Sequence, residues 1–120
     1  MINNLTCYST NTLLKAIHII NENTKGACFV IDKNNRLTGV VTDGDIRRSI
    51  LNNVSLDSSI SEIMSSNFVF GTESDSYEDL YSKLDEKVRI IPIIDKDRKV
   101  VDYLQFPQSI HFPVASPILS

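Results

Sequence analysis

The sequence predicts a mixed α/β (α+β) fold built from two related halves, and three observations lead there. Four apolar runs have strand length: Ala27 to Ile31, Leu37 to Val41, Arg89 to Ile94 and Val100 to Leu104. Apolar residues also recur at helical spacing, at Leu13, Ala16, Ile17 and Ile20 and again at Tyr77, Leu80, Tyr81 and Leu84. The order of these elements then repeats. At an ungapped offset of 63 positions Asp32 meets Asp95, Leu5 meets Phe68, Cys7 meets Phe70, Ile17 meets Leu80 and Ile31 meets Ile94. A repeat of pattern, turn chemistry and element order outweighs any single motif. Each β-α-β-β-α copy is too small to bury a core alone, so the copies are expected to pack about a pseudo-twofold axis. The second copy is expected to be truncated.

Taken in order, Leu5 to Tyr8 reads as a short extended segment. Ser9 to Thr12 is a cluster of N-cap residues, and a helix should run from there to about Glu22. His18 falls beside its apolar stripe with no second His, Cys or carboxylate at ligand spacing, so it is expected to have no role. Asn23 to Gly26 ends the helix at a glycine. Asp32 to Arg36 is a hairpin turn; it fails as a calcium loop because Leu37 stands where glycine is needed. After the next strand, Asp43 or Asp45 can cap a helix from Ile46 to Asn52. Asn52 to Ser59 is a polar connection, and Ile60 to Met64 one helical turn. In the second copy Phe68 to Phe70 reads as a strand, Ser74 to Ser76 as a helix cap in which Asp75 with Glu78 fits a capping box, and Asp95 to Arg98 as the second hairpin turn. The expected organisation is a first repeat over 1–53, a connection over 54–64, a degenerate repeat over 65–107 and a linker over 108–120.

Composition narrows the function classes. The chain has 120 residues, 42% of them apolar, and a net charge of −3. That charge argues against general nucleic-acid binding, so any anion site must be local. No apolar run approaches the roughly 18 residues of a membrane span, and no basic region with an apolar core opens the chain. A cytoplasmic location is expected. Cys7 and Cys28 lie in apolar runs and read as buried free thiols, with a disulfide or a metal pair as alternatives.

The candidate site is the stretch Gly39 to Arg48. A strand leads into a polar turn, where Gly44 is free to take a positive φ, and a helix start carries Arg47 and Arg48. Thr42 adds a hydroxyl and Asp45 a carboxylate that can accept from a diol; phosphate and ribose need that pair side by side. An ordinary capped turn is the alternative. At the same offset the second copy has Asp102, Gln105 and Gln108 in place of Gly39, Thr42 and Asp45, and Pro107 opposes its last helix. One site is therefore expected to be intact and the other dead.

These residues resemble a tandem CBS-domain pair, a Bateman module. The resemblance rests on Cys28 to Asp32, on Gly39-Val40-Val41-Thr42 with Asp45, on Ile91-Pro92-Ile93-Ile94-Asp95, and on Thr12-Leu13 with Ala16-Ile17. It covers about residues 5–106; Phe29 stands where the family has a proline. The resemblance implies a regulatory module that binds an adenosine nucleotide (AMP, ADP or ATP) between the copies and pairs into a homodimer. Asp45 would take the ribose, Thr42 the phosphate, Arg47 or Arg48 phosphate charge, and the strand around Thr6 and Cys7 would line the base pocket. No structural metal and no catalytic residue are implied. The string Val41 to Arg48 is similar to CBS pairs attached to sugar-phosphate isomerases and nucleotide-sugar pyrophosphorylases, and Phe112 to Pro117 resembles the opening of sugar aminotransferases. The chain is thus expected to be the N-terminal arm of a larger enzyme of sugar-nucleotide metabolism, with a fused C-terminal catalytic domain. Two other readings stand beside this one: a ligand-free dimerisation or tethering arm, and an Asp-x-Asp magnesium-dependent transferase using Asp43 and Asp45.

Overall fold

The computed structural model describes residues 2–106. The linker expected over 108–120, Pro107 and Gln108 lie outside the described residues. A 3-10 turn, Ile2–Leu5, leads into strand β1, Thr6–Tyr8, then helix α1, Leu13–Asn23, strands β2, Ala27–Ile31, and β3, Leu37–Thr42, and helix α2, Asp43–Leu51. A second 3-10 turn, Ile60–Glu62, connects to β4, Gly71–Thr72, α3, Tyr77–Ser82, β5, Ile90–Ile94, and β6, Val100–Gln105. The strands form two three-stranded sheets of the same order, β1-β2-β3 and β4-β5-β6. In each the first pairing is parallel and the second antiparallel.

Hairpin geometry repeats at the offset of 63. Ala27 faces Thr42 as Ile90 faces Gln105, and the bulge between Val30 and Ile31 recurs between Ile93 and Ile94. Asp32 Oδ1 accepts from the backbone N–H of Asn34 and Arg36, and Asp95 Oδ1 does the same for Asp97 and Lys99. Those hydrogen bonds stabilise the charged carboxylate of Asp32 and hold its pKa below the ordinary value. The equivalent residues Arg36 and Lys99 bridge each other across the two hairpins, as a pseudo-twofold axis between the copies requires.

The first strand and helix of the second copy depart from that offset. Tyr8 is paired to Ile31, and its counterpart Thr72 is paired to Ile94. Thr12 caps α1 and Ser76 caps α3. Both equivalences are one residue longer than the hairpin offset, so the repeat is not ungapped: the second copy lacks one residue between Leu84 and Ile90. The last turn of α1 has no equivalent there. A compact turn replaces it, with Asp85 Oδ1 accepting from the backbone N–H of Lys87 and Val88.

Four local expectations are corrected. The strand expected at Phe68 to Phe70 is displaced to Gly71–Thr72. Within the expected Ser74 to Ser76 cap it is Ser76 that caps α3, accepting from Asp79 N, and the Asp75–Glu78 box does not form: Asp75 accepts from the Thr72 N–H. The C-terminal cap of α1 is Thr24 at φ 56°, not the expected glycine, and the buried Asn23 side chain beside it accepts from Lys25 N and donates to the Asn4 and Ala27 carbonyls. The positive-φ glycine is Gly26, at 79°, whereas Gly44 lies inside α2.

One apolar cluster joins the halves: Leu5, Phe29, Ile31, Leu37 and Val40 pack with Ile94 and Val100. Each copy adds its own cluster, and that of the first copy takes in Ile60, Ile63 and Met64 from the connection. Cys7 and Cys28 are buried free thiols with their sulfurs 3.3 Å apart. The hydrogen bond between them and burial push the Cys28 thiol far above its ordinary pKa, so it stays protonated. Gly39 lets the connection cross close to β3, where Val40 and Ser65 exchange backbone hydrogen bonds. A Cβ there would press on the Met64 side chain and come within 3.2 Å of the Ser65 carbonyl oxygen. Gly39→Ala is therefore expected to cost about 1–3 kcal/mol in urea unfolding, as overpacking does. An unchanged midpoint would mean that the 60–65 crossing yields freely.

Candidate functional site

A cleft of about 660 Å³ opens where the copies meet, within the range of small-molecule sites. It straddles the pseudo-axis. Lys25 and Gly26 before β2 line it, as do their counterparts Val88 and Arg89 before β5; Thr42 at the end of β3 lines it, as does Gln105 at the end of β6. Gln105, the second-copy counterpart of Thr42, therefore belongs to the same cleft.

The start of α2 forms one wall. Thr42 is the N-cap, in place of the expected Asp43 or Asp45, and it builds a capping box with Asp45. The Thr42 hydroxyl accepts from Asp45 N at 3.2 Å, while Asp45 Oδ2 accepts from Thr42 N at 3.0 Å and from the Thr42 hydroxyl at 3.1 Å. Asp45 Oδ1 accepts from Arg48 Nη2 at 2.8 Å. The two residues singled out for ligand binding thus hold each other and the helix start.

Charge is concentrated here. Lys25, Arg47, Arg48, Lys87 and Arg89 line the cleft against the carboxylates of Asp43 and Asp45, in a chain whose net charge is −3. Lys25 Nζ lies 5.8 Å from the Tyr103 ring centroid, and the Arg89 guanidinium 5.9 Å from that of Phe106. The first pair crosses from one copy to the other. Phe68 and Val69, on the lead-in to β4, supply apolar wall. Asp43 and Asp45 are two residues apart on a helix and so face apart, which opposes a shared magnesium ion. Among the described residues, no three His, Cys, Asp or Glu side chains group as metal ligands do.

Thr42, Asp45, Arg47 and Arg48 are brought together as expected, but Thr6 and Cys7 are not. Neither lines this cleft, and Cys7 packs into the first copy's own cluster. The physical reason is the pseudo-axis: the helix start of one copy faces the strand lead-in of the other, so Phe68 and Val69, rather than Thr6 and Cys7, line the cleft. Sequence reading also missed Lys25, Lys87 and Arg89. A signal for Lys25 existed, because a hairpin that pairs Ala27 with Thr42 sets the residues just before Ala27 beside the helix start. Gly26 O indeed accepts from Asp43 N.

Residues 1–52 and 60–104 match the CBS domain family. The chain is 30% identical over 88 residues to an uncharacterized protein of Rickettsia prowazekii, covering 73% of this chain. It spans 28% and 33% of the lengths of the curated relatives it matches. In shape it is similar to a CBS domain protein, PAE2072 of Pyrobaculum aerophilum, solved in complex with AMP: TM-score 0.79, 19% identity, 91% of this chain and 84% of that one. It is also similar to the CBS domain pair of protein MJ0100, solved with 5-methylthioadenosine and S-adenosyl-L-methionine: TM-score 0.73, 22% identity, 84% of this chain and 80% of that one. No helix among the described residues is long and apolar enough to cross a membrane.

Proposed function

The chain belongs to the CBS domain family, as a tandem pair, and from that premise we propose that it is a regulatory module whose central cleft binds an adenosine nucleotide. The observation that carries the proposal is the convergence of five cationic side chains from both copies on one cleft of an otherwise acidic chain. In this reading phosphate meets Arg47, Arg48, Lys25 and Arg89, ribose meets Asp45, and the base lies against Phe68 and Val69. That two solved proteins of this shape hold adenosine compounds supports the ligand class.

The wider reading is also ours. The module would act without chemistry of its own, as the arm of a larger cytoplasmic nucleotidyltransferase or aminotransferase of nucleotide-sugar metabolism. It would pair as a homodimer through exposed apolar side chains such as Ile50, Leu51 and Tyr77.

Thermal unfolding with AMP, ADP, ATP and magnesium tests the binding. A ligand at 100 times its Kd should add about 2.7 kcal/mol of stability. No shift with any adenosine compound would leave a tethering arm as the better reading.

A further inference from the structure

We propose that Arg48 makes the cleft select phosphorylated nucleotides over uncharged nucleosides, by occupying the carboxylate that the ribose needs. The inference rests on the reading of the cleft as an adenosine-nucleotide site. A carboxylate offers about four lone-pair positions. On Asp45 three are taken: Oδ2 by the Thr42 N–H and hydroxyl, Oδ1 by Arg48. A ribose diol brings two donors, so one existing donor must leave. Thr42 is the harder one to move. Its N–H is backbone, and its hydroxyl also accepts from Asp45 N as the cap of α2. The Arg48 side chain is 64% exposed and reaches Asp45 from the next turn, against 18% exposure for Asp45. An exposed pair of this kind is weak.

Arg48 is therefore the group that leaves, and what replaces its carboxylate decides the net cost. A nucleoside offers nothing. A nucleotide offers its phosphate in the same cleft, and a charge-assisted bond of the same type re-forms. Gly44 keeps the path open. A Cβ on it would lie 3.3 Å from Arg48 Nη1 and 3.6 Å from the Thr42 hydroxyl, so the guanidinium rests over bare backbone.

Calorimetry with adenosine and AMP on the whole chain, and on Arg48→Met and Arg48→Gln, tests this. Both variants should bind adenosine about two- to fivefold more tightly, the worth of an exposed ion pair. They should bind AMP about two- to fivefold more weakly, because a charged hydrogen bond worth about tenfold is lost while the cost of breaking the Asp45 pair is spared. Arg47→Met, which breaks no contact with Asp45, should weaken AMP without tightening adenosine. If the Arg48 variants bind both ligands in the parent's ratio, Arg48 does not discriminate and the inference falls while the nucleotide site stands. If the parent chain binds neither AMP nor adenosine, the reading of the cleft falls, and this inference with it.

Discussion

Phe29→Ala is expected to destabilise the chain by about 3–5 kcal/mol, a large share of the roughly 5–15 kcal/mol typical of a domain. Phe29 is wholly buried in the central strand of the first sheet. It packs in the cluster that also contains Ile94 and Val100 of the second copy, with Phe68, Phe70 and Tyr103 against it. Truncation removes apolar area and leaves a cavity between well-packed walls, and the two losses add. Because the cluster is shared, both halves should melt together. Urea unfolding followed by circular dichroism and by tyrosine fluorescence should give one coincident transition in both proteins, at a much lower midpoint in the variant. All four tyrosines report: Tyr8 in the first copy, Tyr77, Tyr81 and Tyr103 in the second. Two separated transitions would show that each copy has an independent core.

The second large effect is at the site. Asp45→Ala is expected to weaken nucleotide binding by about 1.5–3 kcal/mol, the worth of a hydrogen bond to a charged group. The same change removes half of a capping box, so it should also lower stability by about 1 kcal/mol. Asp45→Asn separates the two effects. Its amide oxygen can still accept from the Thr42 N–H, so stability should be largely retained, while the charge that holds Arg48 and answers the ribose is gone. Calorimetry beside thermal unfolding reads both quantities. Undiminished nucleotide binding by both variants would place the ribose away from Asp45.

Much of the fold was legible because burial writes a local pattern. Leu13, Ala16 and Ile20 are one helical stripe and are buried; Ala27 to Ile31 is a continuous apolar run and is buried throughout. The two hairpin turns were legible for the same reason, since Asp32 and Asp95 satisfy neighbouring backbone within a few residues. The one-residue slip in the second copy was readable too. Thr12 and Ser76, Ala16 and Leu80, Ile20 and Leu84 align at the longer offset, but the hairpins dominate the comparison and hide it. Strand Gly71–Thr72 escaped because its residues carry no apolar alternation, and only pairing to Ile93 and Ile94 makes it a strand.

By itself, then, the sequence determined the two-copy α/β plan, the hairpin turns, the helix stripes and the grouping of Thr42, Asp45, Arg47 and Arg48, all of which follow from contacts within one element or one hairpin. The tertiary structure alone decided what stands opposite that group. Lys87 and Arg89 face it, as do Phe68 and Val69, because the pseudo-axis sets the helix start of one copy against the strand lead-ins of the other. It also decided that the Asp45 carboxylate is already occupied by Thr42 and Arg48. Hydrophobic period records which side of an element is buried. It does not record which element of the other copy meets it, because that is set by how two whole sheets pack.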